Sequence, residues 1–214
     1  MVATSSAERL EARRSSRRAE ILRAAGHELL VAGYSGAALD DVAAAVHVSK
    51  ATLYHYFPTK QALYLAWVKM VHRSAIARIE PAHEDPALDP AQRLAAMVKA
   101  QVVVFASDFP DYARVFLRGM DWPPELGEVI RGHRIQLERL FGEVIADGIE
   151  RGQFTVSDPT VARFCLQGCL AYIPEWFHAD GPLSAQQLGD EIAVMSLRLL
   201  GAEAPESAIA ESPA

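Results

Sequence analysis

The sequence predicts an all-α protein of about nine helices. Three observations carry this reading. Apolar residues recur at helical spacing along most of the chain, and no alternating strand pattern or internal repeat interrupts them. Helix-start signals recur as Asp89-Pro90, Asp158-Pro159 and Ser184-x-x-Gln187. With 214 residues, 50% hydrophobic and 22% charged, the chain is long enough and apolar enough to bury a sizeable core.

Residues 1–8 read as a flexible start. From Arg9 a helix runs with Ile21, Ala25 and Leu29 at fourfold spacing, and it ends at Gly33 as a C′ glycine. Its beginning is basic: Arg13, Arg14, Arg17 and Arg18. Leu39, Val42, Ala43 and Val46 then form one apolar stripe on a helix of two turns. After a break at His47-Val48, Ser49 reads as the N-cap of a second short helix, Lys50 to about Tyr56. Two short helices joined by a tight turn make a helix-turn-helix unit.

The face of that second helix points to nucleic acid. Leu53 and Phe57 point inward, which leaves Lys50, Ala51, Thr52, Tyr54, His55 and Tyr56 outside. Small and hydroxyl residues admit a helix to a groove, Lys50 can donate to guanine, and Tyr54, Tyr56 and Lys60 can reach phosphates. The charge balance agrees. Residues 1–60 hold 8 Lys+Arg and 6 Asp+Glu, a balance of +2, so with a net charge of −6 the remainder carries −8.

The string Val48-Ser49-Lys50-Ala51-Thr52-Leu53-Tyr54-His55-Tyr56-Phe57, with Lys60 and Leu63 after it and Gly33-Tyr34 before it, resembles the DNA-binding domain of the tetracycline-repressor (TetR) family. The resemblance covers about residues 17–67. It implies DNA contacts from Arg17, Arg18, Ser49, Lys50, Ala51, Thr52, Tyr54, His55, Tyr56 and Lys60, with the recognition helix at Lys50 to Tyr56. The chain departs from the family where His47 replaces the usual turn glycine and where Ala37 and Ala38 replace a capping hydroxyl. His tolerates positive φ, whereas the lost cap has no substitute. Asp40 stands where some relatives place a base-reading arginine, so no base contact is carried onto it.

The boundaries expected are a DNA-binding domain at 9–62, an effector and dimerisation domain at 63–201, and a disordered tail at 202–214. A long helix follows Pro58 with Leu63, Trp67, Met70, Ser74 and Ala77 in a stripe, and a loop is expected from Glu80 to Pro90. Helices then follow at Pro90 to about Ser107, Asp111 to Arg118, Glu125 to Arg151 with Gly152 as the stop, Pro159 to about Phe177, and Ser184 to Leu200. This half shows no Ser-His-Asp order, no glycine-rich phosphate loop and no metal spacing, and His83-Glu84-Asp85 reads as solvated charge. Neither catalysis, nor a cofactor, nor a metal is expected. Cys165 and Cys169 share one helix face and read as buried structural thiols.

Aromatic and small residues among these helices suggest a cavity lined by Phe105, Phe109, Tyr112, Phe116, Met120, Trp122, Phe164, Gly168, Tyr172 and Trp176, and the family resemblance implies a small-molecule effector there. The stretch 167–177 and Asp180-Gly181-Pro182-Leu183-Ser184 resembles repressors of fatty-acid and steroid degradation that respond to acyl-CoA thioesters. Arg114, Arg118, Arg131 and Arg134 would then be contacts for the CoA phosphates. Cys165, Cys169, Leu188, Ile192, Met195 and Leu199 are expected at a homodimer interface, which would require a near-palindromic double-stranded operator. The chain lacks an apolar run long enough to span a membrane, and its arginine-rich start has no adjoining hydrophobic region, so the cytoplasm is the expected compartment. A repressor, an activator of the same fold and an effector-independent architectural DNA binder remain open as functions.

Overall fold

The computed structural model describes residues 6–117 and 121–202. Among them lie nine α-helices and no strand. They are α1 (Ser6–Gly36), α2 (Leu39–Ala45), α3 (Lys50–Tyr56), α4 (Lys60–Glu84), α5 (Pro90–Val103), α6 (Pro110–Leu117), α7 (Pro124–Glu150), α8 (Pro159–Trp176) and α9 (Ala185–Leu199), with a π-helical turn at Val104–Asp108 between α5 and α6. No described helix is long and apolar enough to cross a membrane. The chain clusters into two compact units, Met1–Met70 with Gly119–Val129, and Val71–Arg118 with Ile130–Ala214. The division falls inside α4, after Met70.

In the first unit, Ile21, Ala25 and Leu29 of α1 are fully buried, with Leu53, Phe57, Leu63 and Trp67. Gly26 lets α1 approach α4. A Cβ at this position would lie 2.4 Å from Trp67 Nε1, so any side chain must displace the indole. Gly33 bends the end of α1 with φ 69° and ψ 170°, and one further turn follows, closed by Ala37 N–H donating to Gly33 O at 2.9 Å. The regular helix therefore ends at Gly33 as expected, and a separate short turn continues α1 to Gly36. His47 adopts φ 53°, the positive value its side chain tolerates. Ala38 caps α2 without any side-chain hydrogen bond, the deficit its methyl group implies.

One expected boundary and one expected stripe are corrected. Helix α4 runs through Pro81 to Glu84 instead of yielding to a loop at Glu80. Pro81 and Ala77 both face solvent, so the carbonyl that loses its N–H partner can turn to water. The buried stripe of α4 also drifts from the one expected. It passes through Leu63, Tyr64, Trp67, Val68, Val71, Ala75 and Ile79, leaving Ala77 exposed, as a 3.6-residue period demands over seven turns.

In the second unit α5 packs along α9, and α6 packs on α8. The caps hold as expected: Asp89 with Gln92 and Ser184 with Gln187 close capping boxes, and Asp158 accepts from Thr160 N–H and Val161 N–H at 2.8 and 3.0 Å. The helix expected from Pro90 to about Ser107 is present, but after Val103 its last turn, Val104–Asp108, is π-helical. Phe109 N–H donates to Val104 O at 2.8 Å, an i to i+5 bond, because Pro110 forces Phe109 out of helical geometry (φ −146°). Between α5 and α7, Asp147 accepts from Arg93 and from Arg151. Burial alone would raise that carboxyl's pKa, but the two guanidiniums outweigh it and hold it below the ordinary value.

Candidate nucleic-acid interface and ligand cavity

Ser49 starts α3 as a side-chain cap. Its Oγ accepts from Thr52 N–H at 3.1 Å and lies 2.8 Å from Thr52 Oγ1. Leu53 and Phe57 are buried at 0% and 2% exposure, which fixes the opposite face outward. Lys50, Ala51, Thr52, Tyr54 and His55 are exposed, while Tyr56 is half-buried and meets His55 edge-on at 5.9 Å. A helix this narrow, with one exposed lysine, two hydroxyl side chains and an alanine together, can enter a major groove and present donors to base edges.

The cations around it are already engaged. Lys50 Nζ contacts Asp40 at 2.9 Å, and the hydrogen bond with the adjacent carboxylate raises the lysine pKa. Both partners are well exposed, so the pair is weak and a phosphate or base could replace Asp40. Arg17 pairs with Glu20 at 2.8 Å and donates to Val46 O at 3.4 Å, while Arg18 lies over the Phe57 ring at 5.0 Å. These contacts hold the two arginines against the motif. Lys60 donates to Ser35 O at 3.1 Å and lies over the Tyr34 ring at 5.0 Å, and partial burial lowers its pKa.

The second unit contains a half-open cavity of about 450 Å³. Phe105, Ala113, Leu137, Phe164 and Ala171 supply apolar wall, while Gln101, Tyr112, Arg134, Glu138 and Gln167 supply polar atoms, with Gly168 between them. Burial raises the Tyr112 pKa, so the phenol stays protonated at neutral pH. Glu138 is paired with Arg134 at 3.5 Å and Arg163 at 3.1 Å.

The expected ligand set divides on this geometry. Phe105, Tyr112, Phe164 and Gly168 meet at the cavity, and Phe109 lies half-buried beside it in sequence without lining it. Trp122 belongs to the first unit, its ring 6.1 Å from Tyr34. Tyr172 and Trp176, 55% and 47% exposed, face outward from α8 instead of lining the wall. The Phe116 side chain, Met120 and Arg118 lie outside the described residues. Of the arginines named for CoA phosphates, Arg134 reaches the cavity, Arg131 is exposed and does not line it, and Arg114 is tied to Pro174 O and Glu175. Sequence reading missed Gln101 and Gln167, because nothing local marks two glutamines 66 residues apart as neighbours.

The cysteines correct another expectation. Cys165 and Cys169 are exposed, not buried. The inward stripe of α8 is Ala162, Leu166, Leu170 and Ile173, and each thiol precedes one of these leucines by a single residue, about 100° around the helix. Leu188 is likewise turned into the protomer at 2% exposure, packed where α9 meets α5, so it is not available to a second chain. Ile192 is half-buried, and Met195 and Leu199 are exposed at 59% and 45%.

A capped short helix with a buried seam and a polar outer face, set after a tight turn on α2, defines a helix-turn-helix protein. The sequence pattern of bacterial regulatory proteins of the tetR family matches residues 21–67, and that of the tetracyclin repressor-like C-terminal domain matches 87–200. This chain belongs to the TetR family and is a transcriptional regulator with a DNA-binding and a ligand-binding domain. The HTH-type transcriptional regulator RutR of Escherichia coli strain K12 is 25% identical over 179 residues, 83% of each chain. The TetR-family regulator PfmR from Thermus thermophilus superposes with TM-score 0.71 at 25% identity, over 83% of this chain and 97% of that one. AibR, solved in complex with isovaleryl coenzyme A and operator DNA, shares the fold at TM-score 0.72 and 23% identity, over 84% of this chain and 97% of its own.

Proposed function

We propose that this protein is a homodimeric repressor whose affinity for a near-palindromic operator is set by a small, largely apolar effector in the cavity of the second unit. The observation that carries the reading is α3, whose exposed Lys50, Ala51, Thr52, Tyr54 and His55 stand over a seam of Leu53 and Phe57. Lys50 and Thr52 read base edges, while Tyr54, Tyr56, Arg17, Arg18 and Lys60 fix the register on phosphates.

Two further features support it. Val161, Cys165, Cys169, Tyr172 and Trp176 form an exposed stripe along α8, and Met195 and Leu199 an exposed apolar patch on α9, the kind of surface a two-fold partner covers. Such a dimer sets two copies of α3 about 34–36 Å apart, one turn of B-DNA. The cavity, with Arg134 at an exposed position of its wall, suits the acyl end of a short acyl-CoA, and AibR offers a precedent with isovaleryl coenzyme A. The effector acts by favouring a dimer whose recognition helices are wrongly spaced, and only differential affinity for the two spacings can do this.

Titrating isovaleryl-CoA and butanoyl-CoA against the operator complex, with free CoA as control, tests the effector half. Operator affinity is expected to fall by about 5–150-fold with an acyl-CoA and to stay unchanged with free CoA. Unchanged affinity under saturating, calorimetrically verified acyl-CoA would remove that half of the proposal.

A further inference from the structure

The cavity wall contains a polar pair that the fold leaves incomplete. Gln101 of α5, only 2% exposed, donates through Nε2 to Gln167 Oε1 of α8 at 3.3 Å. Gln101 Oε1 and Gln167 Nε2 have no partner and are closed off from the open part of the cavity, so a ligand in the cavity reaches them only when the two side chains turn. The deficit does not depend on how either amide is oriented. Two carboxamides bring two carbonyls and two NH2 groups, and one bond between them consumes one of each, so one acceptor and one donor stay open in either orientation.

Packing alone does not account for the pair. Leucine or methionine would fill either position without leaving polar atoms dry, and a buried unsatisfied donor or acceptor is costly to keep. The apolar wall of Phe105, Leu137 and Phe164 has nothing to offer these atoms, and Glu138 is held by Arg134 and Arg163.

We propose that Gln101 and Gln167 read an amide on the effector. Its N–H donates to the open glutamine carbonyl, its C=O accepts from the open glutamine NH2, and its apolar part lies against Phe105, Leu137 and Phe164. An ester or thioester offers only the acceptor half, and an ionised carboxylate sets negative charge against the open carbonyl. The inference rests on the cavity being the effector site, and it narrows the class of ligand. Two sources supply this chemistry: a free lactam or carboxamide, or the amide that follows the thioester in the pantetheine arm of an acyl-CoA.

Calorimetry on the full chain with two matched pairs decides the matter. One pair is ε-caprolactam and ε-caprolactone. The other is S-butanoyl-N-acetylcysteamine and its analogue in which the amide N–H is replaced by an ester oxygen. Wild-type protein is expected to bind the amide of at least one pair about 10-fold or more tighter than its ester, because the ester leaves a buried acceptor unpaired. Preference in the lactam pair alone identifies a free amide, and preference in the thioester pair identifies the pantetheine arm. The double variant Gln101→Leu/Gln167→Leu is expected to lose the preference while keeping its melting midpoint, since both partners are removed together. Should it not fold, Gln167→Met removes the open donor together with the acceptor of the Gln101 bond and is expected to abolish the preference too. Equal affinity for amide and ester in both pairs, no measurable binding of any of the four, or a preference that survives the substitutions would overturn the proposal. Release of operator by an acyl-CoA without amide preference would sink this inference and leave the regulator reading standing. Amide preference with no effect on operator would do the reverse.

Discussion

The triple variant Lys50→Ala/Thr52→Ala/Tyr54→Ala is expected to bind operator at least 100-fold more weakly than the wild type and to melt at nearly the same temperature. Each specific base contact is worth about 1–3 kcal/mol, so two of them are worth about 2–6 kcal/mol, which with the lost Tyr54 phosphate contact amounts to about two decades of affinity or more. Stability is spared because all three side chains are exposed while Leu53 and Phe57, which seat the helix, are untouched. The cap survives as well, since Ser49 Oγ accepts from the backbone N–H of residue 52, which the substitution leaves in place, and only the 2.8 Å contact with Thr52 Oγ1 is lost. The Lys50–Asp40 pair is exposed and screened by solvent, so its loss leaves stability nearly unchanged. Fluorescence anisotropy at one fixed salt concentration measures the loss. A slope of log affinity on log salt reduced by about one would assign Lys50 to a phosphate, and an unchanged slope with lost discrimination would assign it to a base. Affinity within threefold of wild type would show that α3 does not contact DNA.

Met195→Glu/Leu199→Glu is expected to convert the proposed dimer to a folded monomer and, with it, to abolish high-affinity operator binding. The two side chains are 59% and 45% exposed in the protomer, so charge there disturbs no intramolecular packing. At a two-fold interface every substitution occurs twice, which sets four carboxylates into an area meant to exclude water. Unpaired charges of this kind weaken association by about 100-fold or more. Leu188→Glu is the instructive contrast. That leucine lies inside the protomer, so the change unfolds the α5–α9 packing instead of separating chains. Sedimentation velocity separates the cases, and a dimer that persists in the double variant would move the interface elsewhere.

What local sequence could reveal, it revealed well. Ser49, Asp89, Asp158 and Ser184 announce helix starts because a cap acts on N–H groups two or three residues away, and His47 announces a positive φ because few other residues adopt one. The same locality explains the failures. Pro81 reads as a breaker unless its turn is known to face water, and the π-helical turn before Pro110 depends on where α6 packs. The burial expected for Cys165 and Cys169 and the interface position expected for Leu188 fail because helical spacing gives the width of an apolar face and not its rotation relative to neighbours. The recognition face was legible since its buried seam and polar side lie within eight residues. The cavity was half legible: its aromatics draw attention by type, whereas Gln101 and Gln167 gain meaning only by meeting across α5 and α8.

The most direct test is selection of duplexes from a random-sequence pool by the purified 214-residue chain at physiological salt, followed by sequencing. The account predicts enrichment of one near-palindromic motif with half-sites centred about 10 bp apart, and no enrichment by the Lys50→Ala/Thr52→Ala/Tyr54→Ala variant. Recovery of no preferred sequence by the wild-type protein, or of the same motif by that variant, would contradict it.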